Sequence, residues 1–239
     1  MVKTALVALF SGLLMSASAA TIAHDYVLTS SLNDILGGPP LMSDGGTLIP
    51  SGYTFGANQG LNLSSALMNP GDYSILMDFS FTDLNGYKKI LDFQDRSSDF
   101  GLYNLSSTLD FFPVAAGGAT FSPNVLARVV LTRDAGTNAV TGYVNGAQQL
   151  TFNDSGSFAV FGATNNIIRF FEDDNITGQR EASAGLATEI QIYNGALTSA
   201  QVEALGGPSA APSGVPEPAA LTLVGLGLLS LGLVRRIKA

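Results

Sequence analysis

The chain reads as an all-β fold, a two-sheet antiparallel sandwich, and three observations predict it. Hydrophobic residues make up 46% of its 239 positions and charged ones only 13%, with 27 glycines, a composition that suits many short strands joined by turns. In Tyr73–Phe81, the residues Tyr73, Ile75, Met77, Phe79 and Phe81 share one face of a strand, and Ser74, Asp78 and Ser80 the other. Asn145-Gly146 lies between Val140–Val144 and Gln148–Phe152. Both central positions of a type I′ turn need positive φ, which Asn and Gly tolerate, so this segment predicts a hairpin.

After Tyr73–Phe81, the strand candidates in chain order are Lys89–Phe93, Phe100–Asn104, Thr108–Phe112, Ala127–Thr132, Ala139–Val144, Gln148–Phe152, Ile167–Phe171 and Leu186–Tyr193. Upstream, Gly37-Gly38-Pro39-Pro40 and Asp44-Gly45-Gly46 read as loop. One short helix is predicted at Ser199–Leu205, with Thr198 as N-cap, Gln201 three residues on and Gly206 as its stop. Strands at this spacing with a single late helix give a sandwich over residues 21–205. There is no Cys, so neither disulfides nor thiolate chemistry enter, and stability rests on a core.

The two ends have a different composition. Lys3 is a short positive n-region, Thr4–Met15 an apolar h-region, and small residues follow, with cleavage after Ala19 in the Ala17-x-Ala19 pattern or after Ala20. Residues 1–20 therefore read as a secretory signal peptide, removed by signal peptidase. Residues 206–214 are a Gly/Pro/Ser/Ala spacer. Residues 215–239 begin Val215-Pro216-Glu217-Pro218, continue through the apolar segment Ala219–Val234, and end in a basic cluster of Arg235, Arg236 and Lys238. As a helix the apolar segment would span roughly 24 Å, and the basic side chains can snorkel to complete a crossing, keeping the C-terminus cytoplasmic.

Four of the 11 basic residues (Lys3, Arg235, Arg236, Lys238) and only one of the 19 acidic ones (Glu217) lie in these end segments. The intervening body thus carries 18 acidic and 7 basic residues, a net charge of −11. Such a surface repels phosphate backbones, which disfavours nucleic acid as a partner, and suits divalent cations and neutral polysaccharide.

The order of Val215-Pro216-Glu217-Pro218, apolar helix and basic cluster resembles the PEP-CTERM sorting signal of bacterial exported proteins. The resemblance implies processing by an exosortase, a transient membrane anchor, and a destination at the cell surface or outside the cell. A second resemblance lies in the body. Gly142-Tyr143-Val144-Asn145-Gly146 is similar to the Tyr-x-Asp-Gly hairpin of LamG-like, concanavalin A-like jelly rolls, with Asn in place of Asp. Gly185-Leu186-Ala187-Thr188-Glu189-Ile190-Gln191-Ile192-Tyr193-Asn194-Gly195-Ala196-Leu197-Thr198 and the helix after it are similar to that family's closing strand and helix. Gly52–Gly56 and Gly60–Leu63 match its opening segment. The Trp and His that the family carries before the hairpin are missing from Ala127–Asp134.

Some members of that fold are glucanases that place carboxylates at alternate positions of one strand face. Glu172 and Asp174 satisfy the first half of that spacing, but the third acid would fall at Ile176 or Thr177, and neither can serve. The only His, His24, sits near the mature N-terminus and reads as a solvated residue, so no Ser-His-Asp triad can form. The body is therefore read as non-catalytic. Glu172-Asp173-Asp174-Asn175 is its densest acidic run. Asp173 and Asp174 are the candidate Ca²⁺ ligands, because Ca²⁺ needs only oxygens; the alternative is a solvated acidic turn capped by Arg169 or Arg180. Asp92, Asp95 and Asp99 read as a loop with local ion pairs. Among Tyr53, Tyr87 and Tyr103, Tyr87 follows Asn85-Gly86 and is the candidate for stacking on a sugar ring. The expected function is an exported, non-catalytic carbohydrate- or matrix-binding module. The alternatives are a structural matrix component without small ligand and a polysaccharide hydrolase.

Overall fold

The computed structural model describes residues 20–208. The signal-cleavage residues Ala17 and Ala19, the motif Val215–Pro218, the apolar segment after it and the basic residues Arg235, Arg236 and Lys238 lie outside the described residues.

The body is an antiparallel two-sheet sandwich. In chain order its strands are β1 (Thr21–Val27), β2 (Met42–Ser43), β3 (Thr47–Ile49), β4 (Gly52–Phe55), β5 (Leu61–Leu63), β6 (Tyr73–Phe81), β7 (Tyr87–Asp92), β8 (Gly101–Leu105), β9 (Thr108–Phe112), β10 (Ala115–Ala119), β11 (Ala127–Asp134), β12 (Ala139–Val144), β13 (Ala147–Asn153), β14 (Ile168–Phe170) and β15 (Gly185–Asn194). The helix α1 is Ser199–Leu205. One sheet has the order β13-β12-β11-β6-β15-β4-β3, with β1 also paired to β15; the other runs β10-β9-β8-β7-β14-β5-β2. Along the free side of β15, β4 takes Gly185–Ala187 and β1 takes Glu189–Asn194.

Alternation decides what lies between the sheets. Ile75, Met77 and Phe79 from β6, Val129 and Leu131 from β11, and Ile190 and Ile192 from β15 meet Leu102, Leu109, Phe111, Ile168 and Phe170 of the opposite sheet in one core. Burying each such side chain stabilises the fold by roughly 1.5–3 kcal/mol. The Asn145-Gly146 turn has φ of 52° and 82°, as the hairpin requires, and the Asn145 side chain accepts from the Arg128 backbone N–H at 2.9 Å. α1 opens on a capping box in which Thr198 and Gln201 satisfy each other's backbone N–H groups.

The structure goes beyond the sequence reading at three places. The Ser74/Asp78/Ser80 face of β6 is covered. Every residue of β6 is buried, because Leu197 and Val202 pack on Leu76, Val130 and Tyr143, and Arg128 covers Asp78 with bonds of 2.7 and 2.6 Å. His24 is not a solvated terminal residue. It lies on β1 with Nδ1 2.7 Å from Asp34 Oδ2 and Nε2 2.9 Å from the Ala66 carbonyl oxygen. The first 70 residues add five strands, β1 to β5, where the sequence shows no alternation long enough to announce them.

Candidate functional site

The acidic run 172–174 and Tyr87 are brought to the outward face of the seven-stranded sheet. β14 stops at Phe170 because Phe171 adopts φ 62°, the left-handed region. Its ring turns inward and stacks on Phe55, with centroids 4.8 Å apart and planes 7° from parallel. The chain behind it folds onto β7: Phe171 N–H donates to the Ile90 carbonyl at 3.0 Å and Lys89 N–H to the Glu181 carbonyl at 2.7 Å. Glu172, Asp173 and Asp174 are thereby drawn in, each at 0% exposure, so the acidic stretch is not a solvated turn.

Each of these carboxylates has protein partners. Asp174 Oδ2 accepts from Lys89 Nζ at 2.6 Å, while its Oδ1 accepts from the backbone N–H groups of Ile176 and Thr177 at 2.8 and 3.0 Å. Burial works to raise its pKa, but the Lys89 ammonium and these donors outweigh it and hold the group below its ordinary value. Asp173 Oδ2 accepts from the Thr177 hydroxyl and the Glu181 N–H, both at 2.8 Å. Glu172 Oε2 accepts from Arg169 Nη1 at 3.0 Å. Burial first, and then hydrogen bonding to the Asp44 carboxylate, pushes Glu172 up to about 8, so it keeps its proton at neutral pH.

Asp173 and Asp174, the candidate calcium ligands, do not converge on a metal site. Asp174 spends its charge on Lys89, and among the described residues no group of three or more His, Cys, Asp or Glu is placed to hold a metal ion. Lys89 is the most deeply buried cation of this site, which also holds Arg96 and Arg169. It is fully buried, with Nζ 3.6 Å from Asp92 Oδ2, 3.4 Å from the Asp99 carbonyl and 4.5 Å from the Tyr103 ring centroid. Asp92 and Asp95, read as members of a locally paired loop, pair with Lys89 on the same strand and with Arg169 on β14.

Beside this buried centre lies a more open aromatic surface. Tyr87 is half-buried, and its ring meets Tyr103 edge-on at 5.4 Å and Phe112 at 5.7 Å. The other two tyrosine candidates are fully buried: the Tyr53 hydroxyl donates to the Gly60 carbonyl, and that of Tyr103 bonds to Asp99. Asp110 lies across the strand pair from Tyr103, and the alternation of β9 turns it away from the core that holds Leu109 and Phe111. Burial raises its pKa. Glu181 is pushed up to about 7 by burial and then by the charges of Asp173, Asp99 and Asp174. Lys89, Asp110 and Phe112 did not emerge as site residues from the sequence. For Asp110 a signal existed, since Thr108-Leu109-Asp110-Phe111-Phe112 sets one carboxylate on the face opposite two core residues.

Comparison with known proteins agrees with this architecture. The family model for the concanavalin A-like lectin/glucanases superfamily matches residues 55–203, and that for the PEP-CTERM protein-sorting motif matches residues 214–236. No curated protein sequence matches the chain. Among solved structures, domain 4 of AbnA, a GH43 extracellular arabinanase from Geobacillus stearothermophilus in complex with arabinotriose, aligns with a TM-score of 0.60 at 17% identity, covering 79% of this chain and all of that one. Trypanosoma rangeli sialidase aligns with a TM-score of 0.58 at 18% identity, over 77% of this chain and 32% of its own length. The Ruminococcus gnavus IT-sialidase CBM40 bound to α2,3-sialyllactose aligns with a TM-score of 0.52 at 15% identity, covering 70% and 98% respectively. At these identities the likeness is one of fold. Among the described residues no helix is long and apolar enough to cross a membrane.

Proposed function

The chain belongs to the concanavalin A-like lectin/glucanases superfamily and ends in a PEP-CTERM sorting motif, and on that premise we propose that it is an exported, non-catalytic carbohydrate-binding module of the cell surface or extracellular matrix. Signal peptidase removes residues 1–20. Ala219–Val234 then holds the chain transiently in the membrane, with Arg235, Arg236 and Lys238 on the cytoplasmic side, until an exosortase-type enzyme acts at the Val215–Pro218 region.

One observation carries the binding reading: the outward face of the seven-stranded sheet offers a half-exposed Tyr87 ring beside Asp110 and Glu181, an apolar platform edged by hydrogen-bonding oxygens. Sugar rings are held by that combination, stacking on an aromatic face while hydroxyls meet polar groups. The arabinotriose and sialyllactose complexes of the similar folds support the same class of ligand. A non-catalytic role is supported by the engagement of the groups best suited to acid-base chemistry: His24, on the other sheet, is bonded on both ring nitrogens, and Asp174 is tied to Lys89.

Two measurements test this reading. The processed protein is expected to retain oligosaccharides on a glycan array and to release no reducing sugar from them. Absence of any retained glycan would favour a structural matrix component, and sugar release would make it a hydrolase. In a host lacking its exosortase, the uncleaved chain is expected to accumulate in the inner membrane; unchanged release would refute the sorting route.

A further inference from the structure

We propose that the ligand of this face carries a protonated amine, and that its class is the amino sugar with a free amino group. The proposal rests on the reading of the face as a glycan site and names what that site selects.

Asp110 is the starting point. It is only 7% exposed, yet among the described residues its carboxylate has neither a hydrogen-bond donor nor an ion-pair partner. Such a carboxylate keeps only a little contact with solvent and has no protein donor, and a cation or strong donor brought to it gains a charge-assisted hydrogen bond. Register places Asp110 directly across from Tyr103, and its charge is felt by Tyr87, as are those of Glu181 and Asp99. Tyr87 packs edge to face on Tyr103, which lies across from Asp110, and on Phe112, two positions further along β9. Carboxylate and aromatic rings together form the setting that binds an ammonium group.

The same face already holds one such group. The Lys89 ammonium sits 4.5 Å from the Tyr103 ring centroid and 2.6 Å from Asp174 Oδ2. Lys89 is engaged with Asp174 and Asp92, and Arg96 and Arg169 with Glu172, which leaves Asp110 and Glu181 without an ion-pair partner among the described residues. A second ammonium, delivered by a ligand against Tyr87 and Asp110, would supply it. Because the face is read as a glycan site, the amine is assigned to a sugar ring that can stack on the half-exposed Tyr87.

The test compares the affinity of the full chain, in mild detergent, for four probes: tetramers of glucosamine, N-acetylglucosamine and glucose, and tetralysine. The glucosamine tetramer is expected to bind about tenfold or more tighter than the other two sugars, and Asp110→Asn to remove that advantage, an effect of the size of one charge-assisted hydrogen bond. Tyr87→Ala is expected to weaken all sugars, and Tyr87→Phe to restore them. An unchanged thermal midpoint in Asp110→Asn shows that the fold is intact; should that variant unfold, the ratio between glucosamine and N-acetylglucosamine in the unaltered chain decides alone. Equal affinity for the three sugars would overturn the amine and leave the glycan site standing. Tetralysine binding as tightly as the glucosamine tetramer would overturn the amino sugar. Failure of all four probes while another glycan binds on the array would likewise overturn the amine. Failure of every glycan would overturn the site itself.

Discussion

Lys89→Met is expected to lower the unfolding free energy by about 3–5 kcal/mol, read as a shift of the urea midpoint at constant slope. The ammonium is fully buried and lies 2.6 Å from Asp174 and 3.6 Å from Asp92, which are themselves at 0% exposure. Methionine fills most of the same volume, so packing is largely kept while two buried carboxylates lose their counter-charge. The neighbouring residue is the control. Lys88 pairs at 3.1 Å with Asp83, whose side chain is 48% exposed, so Lys88→Met is expected to cost no more than about 1 kcal/mol. A Lys89→Met protein within 1 kcal/mol of the unaltered one would show that the ammonium does not hold the loop after β14 in place.

The folded body is also expected to lose stability as pH rises from 5 to 8. Glu172 releases its proton near its ordinary value of 4.5 when unfolded but only at about 8 when folded. Through that window the folded state binds more protons than the unfolded one. Its contribution is therefore fully present below 4.5 and falls by up to about 1.4 kcal/mol per pH unit until it is gone above 8. Glu181 and Glu189, both raised to about 7 with burial as the leading cause, act in the same direction but more weakly, because solvent reaches them. Asp44 has the opposite sign but titrates elsewhere. Held below its ordinary value against the pull of burial by Glu172, Asn62 and Arg169, it contributes stability that is lost only under acid conditions, outside this window. Glu172→Gln keeps a hydrogen-bond donor for Asp44 and removes the titration. Thermal midpoints at pH 5 and pH 8 should differ less in that variant than in the parent. A midpoint that climbs with pH in the parent, or an equal slope in both, would refute the assignment.

What the sequence determined by itself is the set of features governed by neighbours along the chain. Period-two alternation placed Tyr73–Phe81 on a strand to the residue, positive-φ tolerance placed the turn at Asn145-Gly146, and a reciprocal N-cap placed Ser199–Leu205 on a helix. The resemblance in the body led to the same sandwich, and the C-terminal motif was legible as a linear pattern. The reach of alternation ends at the face. It states that Ser74 and Asp78 point away from the core but not that α1 and Arg128 lie over them.

The candidate site was decided almost wholly by tertiary structure. Lys89 and Asp174 are 85 positions apart, and their meeting depends on Phe171 leaving the strand to fill a gap between Phe55 and Phe79. The acidic run therefore reads in sequence as surface and proves in the fold to be interior. Asp110 is exceptional for what the neighbouring strand and loop leave unpaired, a property of three-dimensional surroundings that no local pattern contains. Backbone conformation is set mainly by short-range sterics, whereas charge burial depends on which distant segments the core brings together.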